Sequence, residues 1–233
     1  MNKMAVFVEG FTELLFVDKL IQEIANKNSV LIEKRSLRGG TSVPRTSSLI
    51  EAVDTRTSQR HYVLIYDCGA DNAVKTRMLE EYEGLSTRAG YSSIVCIRDV
   101  FPLAHADIKK LEMGLPKFVP TKPVVVEFIL SIMEIEAWFL AEHTHFARVD
   151  PTITCDAIAV SLGFDPRTDD LMLRPNPAAD LHACHQLGGK SYKKAHSRQI
   201  DSLDFAEIYM SVSDRFPYLD QLCATITKFL SSQ

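Results

Sequence analysis

The chain has 233 residues, 46% of them apolar, a formal net charge of −4 and an isoelectric point near 6.0. That length buries a large core, and no run of about 18 apolar residues offers a membrane span. The charge balance excludes a uniformly basic nucleic-acid binder, so a polyanion partner needs a local basic patch or a bound cation. Residues 4–8 form a short apolar, β-branched run that is closed by Glu9-Gly10; this reads as a buried strand and is too short for the core of a secretion signal. A helix is expected over 13–26, capped by Thr12, with Leu14, Val17, Leu20, Ile21 and Ile24 on one face. Residues 30–37 predict a second strand, broken by Arg38-Gly39-Gly40-Thr41, and a second helix is expected over 44–56. A third strand covers 61–66 and ends at Asp67; Cys68-Gly69-Ala70 makes a tight turn, and Asp71 or Asn72 caps a helix running to 89. A fourth strand over 91–97, a helical stretch over 104–113 and a fifth β-rich run over 123–132 follow, the last passing into a helix over 137–143.

Strands alternating with helices predict an α/β, Rossmann-like fold with a mostly parallel central sheet flanked by helices. After Asp150, Pro151, Pro166, Pro175 and Pro177 punctuate short helical pieces. The expected organisation is an α/β core over 1–148 and a mainly helical C-terminal extension over 149–233 that packs on it. Five scattered cysteines (Cys68, Cys96, Cys155, Cys184 and Cys223) form no CxxC pair, which argues against a disulfide framework and for a reducing, cytoplasmic setting.

In open parallel sheets, ligands sit beyond the carboxyl ends of the strands. Glu9 closes the first strand, Asp67 closes the third, Glu13 lies one helical turn beyond Glu9, and Asp71 follows Asp67 across a glycine turn. Crowded carboxylates stay ionised cheaply only around a cation, and an all-oxygen set suits Mg²⁺ or Mn²⁺. Taken singly, Glu13 and Asp71 are explained as helix-start acids and Glu9 and Asp67 as turn residues; taken together they point to a metal site for phosphoryl chemistry.

Val8-Glu9-Gly10-Phe11-Thr12-Glu13 resembles the first motif of Toprim domains, and of the overcoming-lysogenisation-defect nucleases in particular. Met133-Glu134-Ile135-Glu136-Ala137-Trp138 is similar to the Glu-x-Glu-x-Trp segment of small stand-alone Toprim proteins of unknown function, and Tyr192-Lys193-Lys194 resembles their closing Tyr-x-Lys segment. The second Toprim motif is usually Asp-x-Asp; here Gly69 stands at its second position, with Asp71 two residues on. The resemblance implies a Toprim fold and a metal-dependent nuclease acting on DNA or RNA with Mg²⁺ or Mn²⁺. It implies catalytic roles for Glu9, Asp67, Asp71 and Lys194, and metal ligation by Glu9, Glu13, Asp67, Asp71 and Glu136, with Glu134 as the next choice. It also implies a bacterial anti-phage effector with an ABC-type ATPase as partner. Lys194 is either a charge stabiliser or an ordinary surface lysine, with Lys190 and Lys193 able to take the role.

Lys34, Arg35, Arg38 and Arg45 flank Gly39-Gly40-Thr41, so that Arg38, Gly39 and Gly40 read as a phosphate-binding loop or as a solvated turn. Gly188-Gly189-Lys190-Ser191 is no P-loop, because Cys184 stands where the leading glycine belongs. His182, Cys184 and His185 lack a second ligand pair for zinc, and Cys68 reads as a buried thiol. Two other functions remain open. One is a non-catalytic module that docks on an ATPase or on nucleic acid. The other is phosphotransfer through an acyl-phosphate on Asp67, against which Glu9-Gly10 stands where a phosphatase of the haloacid-dehalogenase type needs Asp-x-Asp.

Overall fold

The computed structural model describes residues 1–233 apart from 27–29, 41–42, 55–58, 71–72, 195 and 233. Six strands form one sheet: β1 (Asn2–Val8), β2 (Val30–Arg38), β3 (Thr46–Glu51), β4 (His61–Asp67), β5 (Ser93–Asp99) and β6 (Val126–Ser131), in the order β3-β2-β4-β1-β5-β6. All neighbours run parallel except β2 and β3, which pair antiparallel. The fold is α/β and Rossmann-like.

The period-2 alternation of the strands builds two cores. Met4, Val6 and Val8 of β1, Val63 and Ile65 of β4, and Val95 and Ile97 of β5 face one layer, where α1 (Phe11–Ile24) packs Leu14, Val17, Leu20 and Ile21 against them. Ala5, Phe7, Leu64, Tyr66, Ile94 and Cys96 face the other layer, where α2 (Ala73–Glu83) supplies Val74, Met78 and Tyr82. The two crossovers run in opposite directions from the centre, β1 to β2 through α1 and β4 to β5 through α2. Right-handed connections therefore put the two helices on opposite faces.

α3 (Ile108–Gly114) precedes β6, and α4 (Glu136–Ala141) follows it, carrying Trp138 and Phe139 into the α1 layer. Beyond them come α5 (His145–Val149), α6 (Cys155–Leu162), α7 (Pro177–Leu187), α8 (Ser197–Asp201), α9 (Phe205–Glu207) and α10 (Pro217–Ser231). Among the described residues this stretch holds helices and turns but no strand. It shares the α1 core: Leu181, Phe205, Leu219, Leu222 and Ile226 lie in one cluster with Phe16 and Trp138. α10 also lies along β6, where Thr225 Oγ1 donates to Glu127 at 2.7 Å. No helix among the described residues is long and apolar enough to cross a membrane.

Two expectations are corrected. The helix expected over 44–56 is replaced by β3; its residues are all exposed, and the strand exists because β2 offers it an edge, not because it buries a face. The first helix begins at Phe11 with Gly10 at the N-cap, so Thr12 lies buried in its first turn rather than capping it. The capping role expected of Asp71 or Asn72 lies outside the described residues.

Candidate functional site

The strand ends collect the acids. Asp99 continues the alternation of Val95 and Ile97, which turns its side chain to the α1 layer. Its backbone N–H donates to Glu9 Oε1 at 2.9 Å, tying the end of β5 to the turn after β1. Ser131, the last residue of β6, donates its hydroxyl to the Asp99 carboxylate. Glu13 is buried in the first turn of α1, and Glu136 opens α4 with no exposed surface.

Burial raises the Glu13 pKa to about 7, with repulsion from Glu136 adding to it. Burial also lifts Asp99 well above the ordinary aspartate range, and the charges of Glu13 and Glu136 push the same way. Glu136 is raised too, mainly by burial and further by Glu134, against the pull of Lys194 and Tyr192. Three acids from three separate stretches of chain therefore sense one another at one place.

The extension closes this acidic edge. Lys194 Nζ lies 2.9 Å from Glu134 Oε1 and 3.5 Å from Glu136 Oε2. Burial works against the ammonium charge, but Glu136 and Glu134 outweigh it and hold the lysine pKa above its ordinary value. Tyr192 donates its hydroxyl to Glu136 Oε1 at 2.8 Å. Glu134 Oε2 accepts from the Ala178 N–H at 2.9 Å, in the first turn of α7, where a carboxylate is favoured by the helix dipole. Glu136 Oε2 is buried without a hydrogen-bond partner.

Asp67 belongs to a second arrangement. It pairs in register with Val8 and Ser36, but its carboxylate turns towards β2. Arg38 donates to Asp67 Oδ2 at 2.6 Å and to the Asp67 carbonyl at 2.9 Å, and the Gly69 N–H donates to Oδ1 at 2.9 Å. Glu9 leans towards β5 and Asp67 towards β2, on opposite flanks of the β1–β4 pair. Of the expected site residues, the fold brings Glu9, Glu13, Glu136 and Lys194 to one edge, with Asp67 beside Arg38 on the other flank. Asp71 lies outside the described residues.

The donor set of the acidic edge fits a hard divalent cation in its chemistry: all oxygens, buried, mutually repelling, and with a Glu136 oxygen that accepts no hydrogen bond and meets Lys194 only at ion-pair distance. Its placement is not that of a formed cage. Among the described residues no three histidine, cysteine, aspartate or glutamate side chains are grouped so as to hold a metal ion.

Asp99 was missed from the sequence because Arg98 separates it from the apolar run that ends at Ile97, although it closes β5. Glu134 is tied into the site as firmly as Glu136. Of the basic residues expected around Gly39, Lys34 is instead a buried partner of Asp18 at 2.5 Å and Arg35 pairs with Glu33 at 2.6 Å. Burial, with Asp67 next to it, raises the Cys68 thiol pKa to about 12, which leaves a poor nucleophile. His182 meets the Tyr192 carbonyl at 3.1 Å. Comparison with models of known protein families, with curated proteins and with solved structures finds no match.

Proposed function

We propose that the chain is a Toprim-like nuclease that hydrolyses phosphodiester bonds of DNA or RNA with Mg²⁺ or Mn²⁺. The observation that carries this reading is the burial of Glu13, Asp99 and Glu136 together at the carboxyl edge of the sheet, each raised by burial and the first two also by charge within the group. Glu9, Glu13, Asp99 and Glu136 are the residues that would hold the cation, with Glu134 beside them. When bound, a divalent ion polarises a phosphoryl oxygen and lowers the pKa of a water molecule. Tyr192 and Ser131 orient the carboxylates of Glu136 and Asp99. The half-exposed Lys194 ammonium can turn from Glu134 to the charge that develops on a phosphate. The resemblance of the three motifs to small Toprim proteins supports an anti-phage role beside an ABC-type ATPase.

Cleavage of labelled DNA and RNA with Mg²⁺ or Mn²⁺, with and without an ATPase encoded alongside, tests this. Cleavage that disappears in Glu9→Gln is expected; cleavage unchanged in Glu9→Gln and Asp99→Asn would overturn it.

One observation favours a second reading. Lys194 already lies against Glu134 and Glu136, Arg38 pairs with Asp67, and among the described residues no three acidic, histidine or cysteine side chains are grouped to hold a metal ion. A non-catalytic module that docks on an ATPase or on nucleic acid needs no more than this. Stable binding of such a partner by a protein with no affinity for Mn²⁺ would establish it.

A further inference from the structure

A cleft of about 760 Å³ opens on the other flank, between the ends of β2 and β4 and the first turns of α2. Arg38, Arg45 and Arg77 line it with Gly39, Gly40 and Gly69. Both Gly40 and Gly69 have positive φ, at 133° and 81°, and each lies close to a guanidinium. A Cβ at Gly69 would stand 2.8 Å from Arg38 Nη1, and one at Gly40 would stand 3.2 Å from Arg77 Nη1. Side chains at these positions would push the cations out of the cleft.

Arg77 is buried, its Nη2 donates to the Gly39 carbonyl and its Nε has no hydrogen-bond partner. One carboxylate, Glu80, serves two of the arginines: it pairs with Arg45 and lies 3.6 Å from Arg77. With Asp67 on Arg38, the described residues here set two carboxylates against three guanidiniums.

We propose that this cleft binds backbone phosphates of a nucleic-acid strand, with Glu80 holding the place of a phosphate until the strand displaces it. The proposal rests on the nuclease reading for the identity of the polyanion and names where that strand lies. Guanidinium forks match phosphate oxygens two at a time. Among the described residues no aromatic ring lines the cleft, so none of them stacks a base, and recognition falls on the backbone without regard to sequence. Asp67 ends β4 in register with Val8 of β1, so the cleft and the carboxylate edge lie at the same end of the sheet.

The test is fluorescence anisotropy of a labelled single-stranded oligonucleotide in EDTA, so that binding is read apart from cleavage. Arg45→Ala and Arg77→Gln should each weaken binding roughly tenfold and lower the salt slope by about one. Glu80→Gln should tighten binding severalfold, because it removes the competing carboxylate. Arg77 is buried and its variant can misfold, so Arg45→Ala and Glu80→Gln, both part-exposed, carry the decision. Unchanged affinity in those two variants overturns the proposal while leaving the nuclease reading to the cleavage assay. Binding with these signatures, but no cleavage under any divalent ion, upholds the cleft and sinks the nuclease reading. Inorganic pyrophosphate that binds in an Arg45-dependent way, without oligonucleotide binding, overturns the strand as ligand.

Discussion

The two flanks of the β1–β4 pair carry opposite chemistry. Towards β5, α1 and α4 the acids Glu9, Glu13, Asp99, Glu134 and Glu136 are buried against one lysine. Towards β2 and α2, three arginines face two carboxylates across an open cleft. The difference teaches what each flank lacks. Burial makes the acidic flank costly to ionise without a cation, as the raised Glu13, Asp99 and Glu136 show. On the arginine flank the described residues set three guanidiniums against two carboxylates, an excess of positive charge that suits an anion.

The largest effect that sharpens this contrast is on turnover. Glu136→Gln keeps an acceptor for Tyr192 and should lose at least about a hundredfold in cleavage while the fold stays as stable as the parent or becomes more so. Arginine variants of the cleft should raise KM and leave kcat near the parent value. Steady-state kinetics that show the reverse pattern would erase the distinction between the flanks.

Next comes pH. His145 and His185 sit buried behind Tyr192, and burial lowers their pKa values to about 3 and about 4. Both are neutral in the fold and take a proton on unfolding below about 6.5, so their contribution to stability is lost as pH falls from there towards 4. Glu13 acts with the opposite sign: its stabilisation is present below 4.5 and lost as pH rises through about 7. Replacing His185 by Phe isolates the histidine effect. Urea midpoints should favour the variant by about 2 kcal/mol more at pH 5 than at pH 7.5, and an equal difference at both pH values contradicts a neutral buried His185.

A smaller effect is expected at the counter-cation. Lys194→Met should cost about 1 kcal/mol at pH 8 by leaving Glu134 and Glu136 unpaired. Added Mg²⁺ should restore stability to this variant more than to the parent. Thermal melts that show no Mg²⁺ difference would mean that the lysine and a metal ion do not compete for the same acids.

The smallest is a control on neither flank. Thr154 caps α6 by accepting from the Ala157 N–H at 3.1 Å. Thr154→Ala should lower stability by about 1 kcal/mol with cleavage and oligonucleotide binding unchanged.

The sheet was readable because β1, β4 and β5 carry continuous apolar runs, the first two ending abruptly in an acid. β3 was not, since its exposed residues carry no burial pattern and only pairing with β2 defines them. Glu9, Glu13, Glu136 and Lys194 were legible as local motifs, and the fold brings them to one edge. Asp99 was hidden because its strand was expected to stop at Ile97, two residues early. The turn of Asp67 to Arg38 depends on the β2–β4 register, which sets Ser36 opposite Asp67 and has no trace in local sequence. Arg77 carries no signal along the chain; its burial and its bond to the Gly39 carbonyl come from the fold.

Paramagnetic titration with Mn²⁺ puts the question most directly. The free Mn²⁺ signal should fall as wild-type protein takes up the ion, and this uptake should be lost in Glu136→Gln and in Asp99→Asn but kept in Arg45→Ala. A wild-type protein that leaves millimolar Mn²⁺ free in solution would contradict a cation-demanding acidic flank.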